Sequence, residues 1–263
     1  MTVVGQVIGL WRYPVKSMLG EALTQTEVDE FGIPFDRGWG VIDAGTGMLL
    51  SAKRVPALLG LKAFVRFDGE VTIYADRGGR VVASDDDDVH DWLSDFLGRP
   101  VTLERPVVGE ARRIEIEVDG DSGTDVFEFS TRPGFFFDTS STMHVLTNAS
   151  IQAAAGGYPG GAWNVERFRP EILIDTGTAT GWIEDDWVGQ DLQVGGPQGV
   201  QLHVRKPCQR CVLVTRGQGP LAPDKKILQT LATHHESNLG VYCIVNGIGM
   251  ISVGDDVSVI RAG

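Results

Sequence analysis

RIEIEVDGDSG, residues 113–123, is the stretch that decides the fold class. Ile114, Ile116 and Val118 alternate with Arg113, Glu115 and Glu117, the period of a half-buried strand, and DGDSG then supplies turn chemistry. The same signature recurs outward from it. TVVGQVIGL at 2–10 begins as a strand and VTIY at 71–74 is another, with turns at Gly69–Glu70 and at RGGR, 77–80. With 34 glycines among 263 residues, short strands joined by tight turns fit better than long helices. The chain reads as mainly β with a few helices, an α+β class, and the strand spacing suggests barrels or sandwiches.

Two helices interrupt the strands. Acids at 85–88 precede VHDWLSDFLG, whose Trp92, Leu93, Phe96 and Leu97 supply apolar contacts. Acids in a first turn complement the helix dipole and Gly98 suits a left-handed cap, so the four aspartates need no metal to explain them. KKILQTLATHH, 225–235, puts Ile227, Leu228 and Leu231 on one face. His234 and His235 are adjacent, point to different faces, and read as surface residues near a helix end. GGYPGG at 156–161 reads as a loop. The polar, turn-rich stretch Pro106–Asp125 is the expected boundary between a domain at 1–110 and another at 111–263.

A formal net charge of −12 argues against non-specific affinity for nucleic acid or an anionic membrane. Three cysteines are an odd number and a poor disulfide framework, which points to a reducing compartment. MTVVGQVIGLWRYPVKS has no basic start followed by a long apolar run, and no stretch approaches the roughly 20 apolar residues of a spanning helix. The expectation is a cytoplasmic protein with no membrane and no nucleic-acid partner.

The chemistry centres on KPCQRCVLVTRGQG, 206–219, where Cys208 and Cys211 flank Gln209 and Arg210. A structural zinc site needs four ligands, but Cys243 is the one cysteine left and no histidine lies at finger-like spacing. A thioredoxin-type pair belongs at a helix N-terminus, whereas CVLVT reads as a strand. Two buried thiols acting as small hydrophobes are the plain alternative. The fourth reading is a soft-metal ligand, since one thiolate suffices when an organic cofactor brings the other sulfurs, and an adjacent arginine favours the anion. Such a cofactor usually carries a phosphate, so anion-binding residues are expected elsewhere. YPVKS at 13–17 offers Lys16 and Ser17, and DRGW at 36–39 offers Arg37. RFRP at 167–170 offers Arg167 and Arg169, and DTS at 138–140 offers Thr139 and Ser140. With 23 lysines and arginines in all, their recurrence at strand edges suggests a shared anion pocket.

In this order the segments resemble the MOSC family with its N-terminal β-barrel companion domain. That family includes the mitochondrial amidoxime-reducing component and bacterial hydroxylaminopurine-detoxifying reductases. The resemblance runs nearly end to end, through YPVKS, DRGWGVID, LLSAKRVPAL, FFFDTSSTMHVLTNASI, RFRPEILID, WIEDDWVG, CQRCVLVT and YCIVNGIGMISVGDDV. It implies two β-barrel-like domains with a molybdenum–molybdopterin cofactor in the cleft between them. It implies that Cys211 ligates the molybdenum, as catalytic and metal-binding residue, and that Cys208 is structural. It further implies cofactor contacts from Lys16, Ser17 and Arg37, with Lys16 and Arg37 at the phosphate, and from Thr139, Ser140 and Arg169. Gln209 and Arg210 would flank the ligand, and Tyr242 would lie on the cofactor's side. Two positions depart from the family. Glu171 follows the RFRP proline where Asn is common, and a carboxylate there repels a phosphate unless it turns away. TRGQ at 215–218 replaces Thr-Val-Asp-Pro.

The implied activity is reduction of N-hydroxylated compounds (amidoximes, hydroxylamines, N-hydroxylated bases) to amines. Electrons would come from a separate ferredoxin-, flavodoxin- or cytochrome b5-like carrier with its reductase, because the chain encodes no second redox centre. The alternative is a sulfur or molybdenum-cofactor carrier with a persulfide on Cys211, since MOSC modules also occur in molybdenum-cofactor sulfurases. A β-barrel module with inert thiols is the third reading.

Overall fold

The computed structural model describes residues 1–75, 78–120, 123–137 and 142–260. The first half holds β1 (Thr2–Arg12), β2 (Glu21–Leu23), β3 (Gln25–Val28), β4 (Gly40–Asp43), β5 (Leu61–Val65), β6 (Val71–Ala75), β7 (Val81–Ala83), α1 (Val89–Leu97) and β8 (Val101–Glu104). The second half starts with the hairpin of β9 (Arg113–Gly120) and β10 (Gly123–Ser130), then β11 (Met143–Thr147), α2 (Asn148–Gly157) and β12 (Ile172–Asp175). β13 (Asp191–Val194), β14 (Val200–Gln209), α3 (Lys225–His235), β15 (Asn238–Gly247), β16 (Gly249–Ser252) and β17 (Asp256–Ile260) complete it. The protein is mainly β, with short strands and three α-helices among the described residues.

Seven strands close on themselves in the order β12-β11-β15-β14-β13-β17-β1, because β1 pairs back to β12. Closure removes both sheet edges. The closing stave is therefore the very first strand, paired with β17 on one side and β12 on the other. Its register shifts between Val3 and Gly5 and again between Val7 and Gly9, and such bulges bend a strand around a barrel. Gly5 suits the first: a Cβ there would lie 2.7 Å from Ile174 Cγ2. Val7, Leu10, Val145, Ile172, Leu192, Leu202, Val204 and Val241 fill the interior.

Outside the barrel, β5-β6-β7 form one sheet and β4 pairs with β8. They pack with α1 around Met18, Val41, Leu58, Leu61, Ile73 and Leu93. α1 ends at Gly98 in the left-handed conformation (φ 66°), as its sequence predicts. Arg113–Gly120 forms the predicted strand, the expected turn includes residues 121–122 outside the described residues, and Ile114 is tied to Leu49, Ile42 and Phe136 in a small buried cluster.

One helix is added and two readings are corrected. NASIQAAAGG forms α2, whose N-terminus is capped when Thr147 Oγ1 accepts the Ser150 N–H at 3.1 Å. Its buried side chains are Ala149, Ser150 and Ala154, too small to give an apolar period. CVLVT is not a strand. β14 ends before the second cysteine, and Val212–Thr215 is a 3-10 turn. His235 is not a surface residue: it stacks on Trp182 at 4.0 Å, and its Nε2 lies 2.5 Å from Asp185 Oδ2.

Candidate functional site

The site begins where β1 leaves the barrel. Tyr13–Ser17 runs beside Asp36–Trp39 as a parallel bridge, with Arg37 N–H donating to Tyr13 O (2.8 Å), Trp39 N–H to Pro14 O (3.0 Å) and Lys16 N–H to Trp39 O (2.9 Å). The two motifs are thus one structure. Six non-glycine residues have positive φ among the described residues, and Ser17 (72°), Arg37 (52°) and Arg169 (53°) are three of them. Left-handed backbone at such residues costs roughly 1–3 kcal/mol each and gathers where geometry serves a site. The Ser17 hydroxyl accepts from Ala52 N–H at 3.0 Å, fixing the LLSAKR loop against this turn.

Lys16, Arg37 and Tyr242 line one cavity of about 130 Å³, together with Asp36, Thr142, His144 and Glu171. Arg37 Nη1 donates to Glu171 Oε1 at 2.8 Å and to Asp36 Oδ2. Burial works against the Arg37 cation, and these two carboxylates outweigh it, raising its pKa. Glu171 accepts on its other oxygen from His144 N–H at 2.5 Å, and burial raises its carboxyl against the pull of Arg37. Glu171 therefore turns onto Arg37 rather than away from it. His144 is buried, and that burial, with Arg210 second, pulls its imidazole down to about 4, so the ring is neutral near pH 7.

Arg169 is buried behind this rim rather than lining it. Its Nη1 donates to Met18 O at 2.6 Å, its guanidinium lies 4.1 Å from the Tyr13 ring centre, and burial lowers its pKa to about 10. The cysteine element connects from the other side. Cys208 is fully buried and accepts from Arg210 Nη1 at 2.7 Å, while burial raises its thiol. Arg210 Nη2 donates to Phe168 O at 2.7 Å. Burial opposes the Arg210 charge, and Cys208, then Tyr242, then Cys211 outweigh it. The adjacent arginine thus bonds the first sulfur, while the second feels it more weakly. Cys211 is half-buried at the start of the 3-10 turn, outside the lining of the Lys16 cavity, and Gln209 is exposed at the end of β14. Thr139 and Ser140 lie outside the described residues.

Sequence reasoning missed His144, which in MHVLT looks like a core residue. The sequence carries no signal for it, because its partners arrive from the segment just before β12, from Arg210 just after β14, and from β15. Among the described residues, no three His, Cys, Asp or Glu side chains converge as metal ligands, so a metal bound here must take most of its ligands from a cofactor. The cavity offers such a group two cations and the Thr142 and Tyr242 hydroxyls beside the Asp36 and Glu171 carboxylates, with the Cys211 thiol outside that lining. No helix among the described residues is long and apolar enough to cross a membrane.

The family models agree with this layout. The MOSC N-terminal beta barrel domain matches residues 4–84 and the MOSC domain matches 132–258, and the chain belongs to the MOSC family. It is 23% identical to the molybdenum cofactor sulfurase of Homo sapiens over 95% of this chain and 32% of that protein. It is likewise 23% identical to that of Oryza sativa subsp. japonica, over 84% of this chain and 30% of the relative. The chain spans about a third of the length of these curated relatives. In fold it is similar to the YUAD protein from Bacillus subtilis, with a TM-score of 0.51 at 14% identity over 98% of this chain and 97% of that one.

Proposed function

We propose that this protein is a molybdenum-cofactor-dependent oxidoreductase that reduces N-hydroxylated compounds, with electrons delivered by a separate protein carrier. The observation that carries the reading is the convergence of Lys16, Arg37 and Tyr242 on one cavity, with Tyr242 on the strand paired to the one that leads into the CQRC element. When bound, a molybdopterin would supply the two-electron chemistry that breaks an N–O bond. The chain's own tasks are simpler. Cys211 offers the thiolate, and Lys16 and Arg37 hold the phosphate end, with Arg37 shared between its own carboxylates and the ligand. The Tyr242 hydroxyl and the neutral His144 ring form a wall that carries no charge of its own. Protein loaded with cofactor and supplied with an artificial reductant should convert benzamidoxime to benzamidine, and Cys211→Ala should not. Equal turnover by that variant ends the mechanism.

The likeness to molybdenum cofactor sulfurases over most of the chain favours a second reading, a sulfur carrier with a persulfide on Cys211. Mass spectrometry separates the two. A carrier shows one extra sulfur on Cys211 that dithiothreitol removes, and it contains no stoichiometric molybdenum.

A further inference from the structure

Neither arginine of RFRP lines the cavity, and Arg167 is the one bonded to the segment that follows Cys211. Its side chain is fully buried, and among the described residues no carboxylate lies at salt-bridge distance from it. Its guanidinium instead meets four backbone carbonyls, each at 3.0 Å: Nε donates to Ala162 O, Nη1 to Val214 O and Arg216 O, and Nη2 to Ala222 O. A buried cation is tolerated when every donor is satisfied, and a planar fork can satisfy several acceptors in fixed directions where an ammonium cannot.

Three of those carbonyls belong to the segment that follows Cys211. The other flank of that cysteine is tied to the same place, because Arg210 donates to Phe168 O, the residue next to Arg167. Gln218 closes the arrangement, its Nε2 donating to Arg167 O at 3.1 Å and to Leu213 O at 3.3 Å. One short turn, Val165–Phe168, therefore grips the chain immediately before and after position 211.

We infer that Arg167 is the positioning residue for Cys211, holding the 3-10 turn so that the half-buried sulfur keeps one place. Its contacts fix the Val214 and Arg216 carbonyls at the end of that turn, and Gln218 fixes Leu213 O. That Cys211 is a metal ligand rests on the function proposed above; that Arg167 holds it does not.

Alkylation of the three cysteines by iodoacetamide, followed residue by residue with mass spectrometry under native conditions, tests this. Cys208 and Cys243 are fully buried and report global opening, while Cys211 reports its own turn. In Arg167→Met, and in the same direction in Arg167→Lys, Cys211 should react about tenfold faster while Cys208 and Cys243 stay protected. Rates at Cys211 within about twofold of the parent, or all three cysteines rising together, overturn the assignment. Should Arg167→Met not fold, Gln218→Met loses only two donors and must show the same pattern more weakly. Molybdenum content measured alongside separates the two claims. A parent chain that takes up no metal defeats the proposed function, and the alkylation pattern still decides the role of Arg167.

Discussion

The cavity rim and the Cys211 turn both rely on buried or half-buried arginines, and they satisfy them in opposite ways. At the rim, Arg37 faces Asp36 and Glu171, so the protein's own carboxylates already balance it. At the turn, Arg167 faces carbonyls, and Arg210 faces a sulfur and a carbonyl. The rim is therefore close to neutral before any ligand arrives, while the turn keeps positive charge next to the cysteines. An anion arriving at the rim has to compete with Glu171 and Asp36 for Arg37. His144 links the two regions, since its backbone N–H holds Glu171 and its Nε2 lies 3.5 Å from Arg210 Nη1.

The largest effect should come from breaking the rim's internal balance. Arg37→Met leaves Glu171 buried without its cation and should lower stability by about 3–5 kcal/mol in urea unfolding. Adding Glu171→Gln should restore more than half of that loss. A double variant no better than the single one would mean the pair is not coupled.

The next effect depends on pH. Burial holds His144 near 4 in the folded state, so the unfolded chain takes up a proton near 6.5 that the folded chain resists. Unfolding then binds a proton in that window, and stability falls as pH drops from about 6.5 to about 4, by about 3 kcal/mol when complete. His144→Asn should flatten that slope relative to the parent. An unchanged slope would place the dependence on other groups.

Gly240 supports the same ring. It sits at φ 78°, and a Cβ there would lie 2.6 Å from Val145 O and also against the His144 ring. Gly240→Ala should lower stability by about 2 kcal/mol, through strain and displacement of the ring that joins the two regions. The smallest effect is at Ser17. Ser17→Ala loses the bond to Ala52 N–H and should cost about 1 kcal/mol, whereas Ser17→Gly loses the same bond but relaxes a left-handed backbone and should cost less. The reverse order would show that the turn at Ser17 is unstrained.

The strands were legible because period-two patterns such as RIEIEV survive in any tertiary context. The barrel's closure was not, since β1 takes its partners from the far end of the chain and no local signal marks them. YPVKS and DRGW announced cations, and the structure puts Lys16 and Arg37 on one cavity. What the sequence hid was how those charges are balanced. Glu171 looked like a misfit beside a phosphate site and proves to be the partner of Arg37. The error at CVLVT has a similar cause. A β-branched run favours a strand by propensity, but here a buried guanidinium from another segment takes the Val214 carbonyl and that of Arg216 beyond it.

The central claim is that Cys211 carries the metal. Protein made in a host with intact molybdenum-cofactor synthesis should contain about one molybdenum per chain by elemental analysis, and Cys211→Ser should contain none. Equal molybdenum in both, or none in the parent despite confirmed cofactor supply, contradicts it.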